Sequence, residues 1–228
     1  MIKTKDIIDV VMKIDVGECV VRKCRPQDAI EHMKACRDSA DYLGDFLEWG
    51  IHAHTWDFPQ HARWINYHAD LPEPFESYSV FLGSKMVGFF SYGHALDSWG
   101  IQICYWVRKG YEGNGIATTI TEFLTDKAFY FKGFSYVEVH VDVKNLASRK
   151  VPEKLGFEID EEYSCTPRGP KETGRMVVYV KYNPSKPRRS YSQTYSSGNG
   201  RQSYMTWSQV ARLMSDPGKD STQDKKTA

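Results

Sequence analysis

The sequence predicts an α/β protein built around one mixed β-sheet. Strand-like and helix-like segments follow each other in the order β, helices, β-β-β, α, β, α, β-β. Gly83-Ser84-Lys85 separates two alternating segments, as a hairpin turn does. The segment from Tyr105 to Ile116 runs from a strand through a glycine-rich turn into the start of an amphipathic helix. Together these features predict an α/β layout around a mixed sheet.

The N-terminal part is predicted to be mainly helical. Apolar residues at helical spacing, a capping Thr4 and a terminating Gly17 predict a helix over residues 4–16. A strand over Cys19–Cys24 follows. Helices are predicted over residues 29–36, 39–49 and 61–67, with an irregular aromatic and histidine-rich stretch at 50–59.

The C-terminal part is predicted to carry most of the sheet. Trp99–Val107 is a largely apolar run, which favours a central strand. The other strands are predicted over residues 77–82, 86–92, 136–141, 157–165 and 175–182, and helices over residues 115–132 and 147–155. A loop over residues 166–174 joins the last two strands.

Composition and charge limit the class of protein. The chain has 228 residues, 41% of them hydrophobic, and a net charge of +1, which indicates one domain with a tail and no overall nucleic-acid bias. The five cysteines are odd in number and scattered, as in a reducing compartment. No N-terminal run is long enough for a signal peptide or a membrane span. We therefore expect a soluble, cytoplasmic protein with no membrane partner.

Three regions are predicted along the chain. Residues 1–17 form an N-terminal helix extension, residues 18–183 form the main α/β domain, and residues 184–228 form a basic, largely disordered tail. The tail has eight Lys or Arg and three Asp, and a short amphipathic helix is predicted near residues 206–215. This charge leaves RNA binding by the tail as a weak alternative function, although a solvated linker is the simpler interpretation.

The glycine-rich turn indicates an anion site. Gly113 and Gly115 have no Cβ, so the backbone can approach a ligand closely. Amides at the start of the following helix, together with the helix dipole, favour a diphosphate there. A plain tight turn before a helix is the alternative. A dinucleotide-binding fold does not fit, because these glycines come late in the chain and Glu138 lies within the next strand.

Several motifs resemble the GNAT N-acetyltransferases, most closely their RimJ/RimL-type branch. The resemblance covers residues 18–182 and is most specific in its last motif. The motifs are Arg25-Pro26 with Asp28, the run Tyr42 to Trp49, Tyr105-Trp106-Val107, Gly113-x-Gly115-Ile116, and Asn145-x-x-Ser148 followed by Val151-x-Glu153-Lys154-Leu155-Gly156-Phe157.

The resemblance implies a mostly antiparallel sheet with a bulged central strand that parts from its neighbour. It implies acetyl-CoA as acetyl donor, with pantetheine lying in the gap like an added strand. Asn145 would bond the pantetheine arm, with a helix N-cap as its alternative role, and Ser148 would lie near the thioester sulfur. The resemblance assigns the remaining cofactor contacts to main-chain groups of Tyr105, Trp106 and Val107 and, around the diphosphate, to Glu112, Gly113, Asn114, Gly115, Ile116, Ala117 and Thr118.

The chemistry implied is direct attack of an amine on the thioester, which needs a neutral amine. Gln102 stands where the branch often has Glu, so it is predicted to position a water. Pro152 stands where many members have a Tyr acid, which leaves Ser148 as the group beside sulfur. The candidate bases are His140, Glu138 and His94.

Two functions remain open from the sequence. The first is an acetyl-CoA-dependent acetyltransferase whose acceptor is a primary amine, either a protein N-terminus or a small amine, acting as a monomer or a homodimer. The second is an acyl-CoA-binding sensor or scaffold with weak or no catalysis. His52, His54, His61 and His68 fit no closed zinc spacing, so no metal site is predicted.

Overall fold

The computed structural model describes residues 9–186 and Arg188. The strands are β1 Val10–Ile14, β2 Gly17–Lys23, β3 Ser77–Leu82, β4 Lys85–His94, β5 Gly100–Val107, β6 Tyr136–Asp142, β7 Glu158–Ser164 and β8 Arg175–Tyr182. The helices are α1 Ala29–Asp38, α2 Ala40–Phe46, α3 Gly50–Ala53, α4 Phe58–Ala69, α5 Ile116–Tyr130 and α6 Leu146–Lys154, with a 3₁₀ turn over Pro26–Asp28. No helix among these residues is long and apolar enough to cross a bilayer.

The strands form one eight-stranded sheet in the order β1-β2-β3-β4-β5-β6-β8-β7. Every neighbouring pair is antiparallel except β5 and β6, which are parallel. The predicted α/β class, with a mixed, mostly antiparallel sheet, is confirmed.

The parallel strands β5 and β6 are paired over only a short length and then separate. Strand β5 pairs with β6 only over Gly100–Gln102, yet it continues to Val107, bonded to β4 alone. Strand β6 continues to Asp142, bonded to β8 alone. A gap therefore opens between the two central strands beyond Gln102. The register of β5 against β4 is continuous from Ile101 to Val107, so the parting occurs without the expected bulge.

Side chains alternate across the sheet and build a core on each face. One face packs against α5, and Ile103 of β5 meets Ile120 and Leu124 in that core. The other face packs against α1 and α4, where Trp106 joins Trp64. Consecutive residues of β5 therefore line opposite sides of the gap.

The helix predicted over residues 4–16 is wrong over Val10–Ile14, which form β1. Residues 1–8 lie outside the described residues. The segment alternates between half-buried and exposed positions, with Met12 and Ile14 packed on the core and Val11 60% exposed. Pairing with β2 satisfies its backbone and selects this alternation over the helical one.

The stretch predicted to be irregular contains α3 and the start of α4. Asp57 accepts from the Gln60 amide at 2.9 Å, and Gln60 accepts from the Asp57 amide at 2.8 Å, so a capping box begins α4. The helix predicted over residues 39–49 ends earlier, at Phe46. A Cβ on Gly50 would stand 2.7 Å from the Leu43 carbonyl, so α2 and α3 pack too closely for a side chain there. The tail helix predicted near residues 206–215 lies outside the described residues.

Candidate functional site

The glycine-rich turn connects the end of β5 to the start of α5. Gly110, Gly113 and Gly115 have φ angles of 84°, 77° and 77°, a region that favours glycine. Gly115 is the N-cap of α5 and offers no side-chain acceptor, and no other described side chain caps this helix. The first-turn amides of Ile116, Ala117 and Thr118 are therefore available to an anion.

The two cations of this turn are bound by carboxylates of the protein body. Arg108 is buried, donates to Asp38 at 2.9 Å through Nε, and donates to the Met86 carbonyl at 3.1 Å. Lys109 pairs with Asp41. An anion at the turn would consequently depend on backbone amides more than on these side chains.

Glu112 and Asn114 shape the turn. The Glu112 carboxylate accepts from the Gly110 amide at 2.6 Å, and the Asn114 side-chain amide donates to the Glu112 carbonyl at 3.2 Å. Both side chains thus bond within the turn and hold its backbone open around Gly113.

Asp15 lies beside the turn, and the sequence analysis missed it. Its amide donates to the Asn114 carbonyl at 3.4 Å, and its carboxylate lies 3.7 Å from the position of a Cβ on Gly115. The β1–β2 hairpin brings it there from about 100 residues away in sequence. No local signal predicts this contact, because it depends on β1 being a strand.

Tyr105 and Ser148 join β5 to α6 on the α5 side of the gap. The Ser148 hydroxyl donates to the Tyr105 hydroxyl at 3.2 Å, and the Tyr105 hydroxyl donates to the Ser148 carbonyl at 3.0 Å. Burial raises the pKa of the Tyr105 phenol, so it stays protonated at neutral pH. Asn145 accepts from the Ser148 amide at 3.2 Å and is the N-cap of α6, as its alternative role predicted.

Glu138, His140 and Tyr163 form a hydrogen-bonded chain on the opposite face. His140 Nε2 lies 2.8 Å from a Glu138 carboxylate oxygen, and His140 Nδ1 lies 3.2 Å from the Tyr163 hydroxyl. Glu138 is fully buried, and its other oxygen accepts from the Leu96 amide at 3.5 Å. A carboxylate oxygen that accepts from His140 assigns the hydrogen to Nε2 and leaves Nδ1 to accept from the Tyr163 hydroxyl.

Gln102 lies where the central strands part, since it pairs with Glu138 in the last rung between β5 and β6. Its side chain is fully buried, and neither of its polar atoms has a hydrogen-bond partner among the described residues. A buried amide of this kind is expected to bond a water or a ligand, because leaving it unpaired is costly.

The remaining predicted residues fall into two groups. Trp106 and Val107 continue the β5 edge that faces the gap, and the Trp106 indole is buried in the core with α1 and α4. His94, a candidate base, is exposed with its ring 4.1 Å from Phe75. It belongs to no hydrogen-bonded chain with Glu138 within the described part of the protein.

The loop between β7 and β8 reaches from β6 to α2. At one end the Asp142 carboxylate accepts from the Thr173 amide at 2.8 Å. At the other, Lys171 donates through its amide to the Asp45 carbonyl at 3.2 Å and through Nζ to the Asp45 carboxylate at 2.7 Å. A Cβ on Gly169 would stand 2.4 Å from that carbonyl, so only glycine permits this contact. The loop therefore connects the two halves of the sheet on the α1–α4 side.

Solved structures with the same fold include several acetyltransferases. Mycobacterium smegmatis RimJ in complex with CoA-disulfide aligns with a TM-score of 0.66 and 18% identity, over 79% of this chain and 89% of that one. A RimL ribosomal L7/L12 alpha-N-protein acetyltransferase in complex with coenzyme A aligns at 0.66 and 14% identity, over 76% and 98%. The microcin C7 self-immunity acetyltransferase MccE aligns at 0.65 and 14%, over 72% and 92%. At these identities the similarity shows the fold alone.

A search of curated proteins finds no significant sequence match. The model of the acetyltransferase (GNAT) domain matches residues 19–158, which is more than half of the chain. With the parted central strands and the glycine turn at the start of α5, this match shows that the chain belongs to the GNAT family of acetyltransferases and uses acetyl-CoA as its acetyl donor.

Proposed function

We propose that this enzyme transfers the acetyl group of acetyl-CoA to the N-terminal amino group of a protein, by direct attack of the amine on the thioester. One observation carries the proposal. The gap between β5 and β6 has a hydroxyl pair, Tyr105 and Ser148, on one face and a basic chain, Glu138, His140 and Tyr163, on the other. Donor and acceptor can thus meet in the gap from opposite sides.

The donor is proposed to bind along β5. Main-chain groups of Tyr105 to Val107 face the gap and have no strand partner there among the described residues, so pantetheine can pair with them. The diphosphate would then bind the first-turn amides of α5, where no side chain competes. The Ser148 hydroxyl would lie near the sulfur, oriented by Tyr105.

The reaction is proposed to proceed in one displacement. The amine nitrogen attacks the carbonyl carbon, the C–S bond breaks, and the electron pair stays on sulfur. The Ser148 hydroxyl turns from the Tyr105 oxygen to donate a hydrogen bond to this thiolate, which takes a proton from water, because a thiol has a pKa of about 8.5. The amine proton passes through Tyr163 to His140 Nδ1, and the buried Glu138 carboxylate stabilises the imidazolium. The imidazolium then releases this proton to solvent, which balances the proton taken up by the thiolate.

Gln102 is proposed to hold a water molecule where the gap begins. Its unpaired amide lies beside Glu138, at the point where the gap begins. A water held there would complete a proton path for an amine that does not reach Tyr163 directly. This retains the water-positioning role predicted from the sequence.

The choice of acceptor rests on the structural neighbours. One is described as a ribosomal L7/L12 alpha-N-protein acetyltransferase, and another, from Vibrio fischeri, as a ribosomal-protein-S5-alanine acetyltransferase. These descriptions support a protein N-terminus. MccE is described with acetyl-CoA and AMP, so a small-molecule acceptor is the competing outcome.

The proposal is tested by thiol release from acetyl-CoA with three acceptor classes: peptides with free N-termini, the same peptides with blocked N-termini and a free lysine, and small polyamines. We expect turnover only with the first class. His140→Gln should lower kcat by about 10²-fold or more, the range for loss of a general base. His94→Gln is the matched control and should leave kcat unchanged, since His94 lies outside the chain of hydrogen bonds. Equal loss in both variants, or turnover of the blocked peptides alone, would contradict the proposal.

Calorimetry, together with the thiol-release assay, separates the sensor or scaffold alternative from catalysis. Tight acetyl-CoA binding with no thiol release across all three classes would favour it over catalysis.

A further inference from the structure

A second cluster of reactive side chains lies away from the gap, between α1 and α4. His32, Cys36 and His61 are all fully buried. His32 Nδ1 lies 3.0 Å from His61 Nδ1 and 4.0 Å from Cys36 Sγ. One ligand atom from each of the three lies within 4.8 Å of the others. The sequence analysis considered His61 with other histidines and missed this set.

The cluster follows from local spacing and one tertiary contact. His32 and Cys36 are four residues apart on α1, so they share one face of that helix. His61 comes from the first turn of α4, where the Asp57–Gln60 capping box fixes the start of the helix. The packing of α1 on α4 brings the three side chains together.

We propose that His32, Cys36 and His61 bind one monovalent thiophilic metal ion of the Cu⁺ type. An ion bonded to nitrogen and sulfur at about 2.0–2.3 Å places neighbouring ligand atoms roughly 3.3–3.9 Å apart. The observed separations, from 3.0 Å to at most 4.8 Å, require only small side-chain rotations to reach this range. Two imidazoles and one thiolate are ligands that copper accepts in trigonal geometry.

Metal binding would change the hydrogens that these side chains carry. The two rings meet through their Nδ1 atoms, so one Nδ1 now carries a hydrogen, which must move to Nε2 before both Nδ1 atoms can bind the ion. The Cys36 sulfur binds as a thiolate, so the metal must displace the thiol proton. On binding, the S–H bond is replaced by a metal–sulfur bond, and one proton is released to solvent for each ion bound.

The surroundings favour a single positive charge. The Trp64 ring stacks on His32 with 4.5 Å between centroids, and the Trp49 and Trp106 rings also lie within about 6.3 Å of His32. Cu⁺ with a thiolate is electrically neutral, whereas Zn²⁺ with the same ligands leaves one net positive charge in this apolar site. No fourth His, Cys, Asp or Glu ligand joins the three among the described residues, and three ligands suffice for Cu⁺.

The test uses the full-length protein, refolded anaerobically with and without Cu⁺ because the site is buried. Competition with bicinchoninate should show one tightly bound Cu⁺ per chain. Cys36→Ala should weaken this binding by more than about 100-fold, because losing a ligand costs more than losing a hydrogen-bond partner of a ligand, for which the range is about 10–100-fold. Cys19→Ala is the matched control, since Cys19 is equally buried but lies on β2 outside the cluster. X-ray absorption should show two nitrogen neighbours and one sulfur.

Two further measurements test the site: a second ligand variant and the pH dependence of Cu⁺ affinity. His61→Gln should also weaken Cu⁺ binding, and circular dichroism checks that both variants fold. The Cu⁺ affinity of the unaltered protein should rise with pH, because each ion that binds releases one proton. Equal binding by the Cys36→Ala and Cys19→Ala variants, no tight Cu⁺ after refolding, or a site that takes Zn²⁺ and rejects Cu⁺ would each overturn the inference. None of these readouts depends on acetyl transfer.

Discussion

Replacing Asp15 by Asn should strengthen coenzyme A binding. The exposed Asp15 carboxylate lies 3.7 Å from the Cβ position of Gly115, at the mouth of the turn proposed to hold the diphosphate. The substitution removes one negative charge and keeps the size of the side chain and the backbone bond from Asp15 to Asn114. The β1–β2 hairpin should therefore stay in place.

The size of the effect follows from Coulomb's law. A phosphate bonded to the first-turn amides would lie about 6 Å from this carboxylate, given ordinary hydrogen-bond lengths. With an effective dielectric constant of about 40–80 for an exposed pair, the repulsion is about 1 kcal/mol per unit charge. The dissociation constant for coenzyme A should therefore fall roughly fivefold.

Calorimetric titration with coenzyme A at low and high salt is the assay. The gain should shrink as salt rises from about 0.05 M to about 0.5 M, because screening weakens repulsion between exposed charges. Glu18→Gln makes the same change in net charge on the same hairpin and is the control, since the atoms nearest to the Gly115 Cβ position belong to Asp15 and not to Glu18. An unchanged affinity in Asp15→Asn, or an equal gain in Glu18→Gln, would refute a diphosphate at this turn.

Three further predictions test other parts of the molecule. Gly113→Ala and Gly110→Ala should each lower the free energy of unfolding by about 1–2 kcal/mol, because both positions have positive φ; calorimetry should show weaker coenzyme A binding for Gly113→Ala only. Burial lowers the pKa of His68 to about 3 in the folded protein, below the value of about 6.5 in the unfolded chain. The neutral imidazole therefore contributes its full stability above a pH of about 6.5, and this stability is lost as the pH falls toward about 3. Urea unfolding of His68→Gln at pH 8 and pH 5 should show about 1–2 kcal/mol less acid destabilisation than the unaltered protein, and an unchanged difference would contradict the burial argument. Gly169→Ala should displace the β7–β8 loop from Asp45 and lower the free energy of unfolding by about 1–3 kcal/mol, because a Cβ there would stand 2.4 Å from the Asp45 carbonyl; an unchanged urea midpoint would contradict this close contact.

Local patterns predicted most of the strands and helices. The alternating segment at Ser77–Leu82 and the final strand at Arg175–Tyr182 have the predicted bounds. The amphipathic helix after Gly115 agrees to within two residues at each end. The first is a short alternating segment, the second is a continuous apolar run bounded by Gly174 and Pro184, and the helix has a 3.6-residue period, so neighbouring residues suffice to assign them.

The secondary structure of the N-terminal segment could not be assigned from its own residues. Val10, Met12 and Ile14 fit a strand, while Val10, Val11 and Ile14 fit a helical face. Over five residues the two periods cannot be separated. Pairing with β2 decides between the two, because the edge of β2 offers backbone hydrogen-bond partners to a strand and none to a helix.

The sequence by itself determined the order of elements along the chain from β3 onward, the glycine turn and the resemblance that points to acetyl-CoA, because each depends on residues close together in the chain. Only the tertiary structure decided that His140 meets Tyr163, that Asp15 meets Gly115 and that His32 meets His61. These contacts join residues 23 to 100 positions apart. They depend on strand order and helix packing, which no local period or spacing encodes.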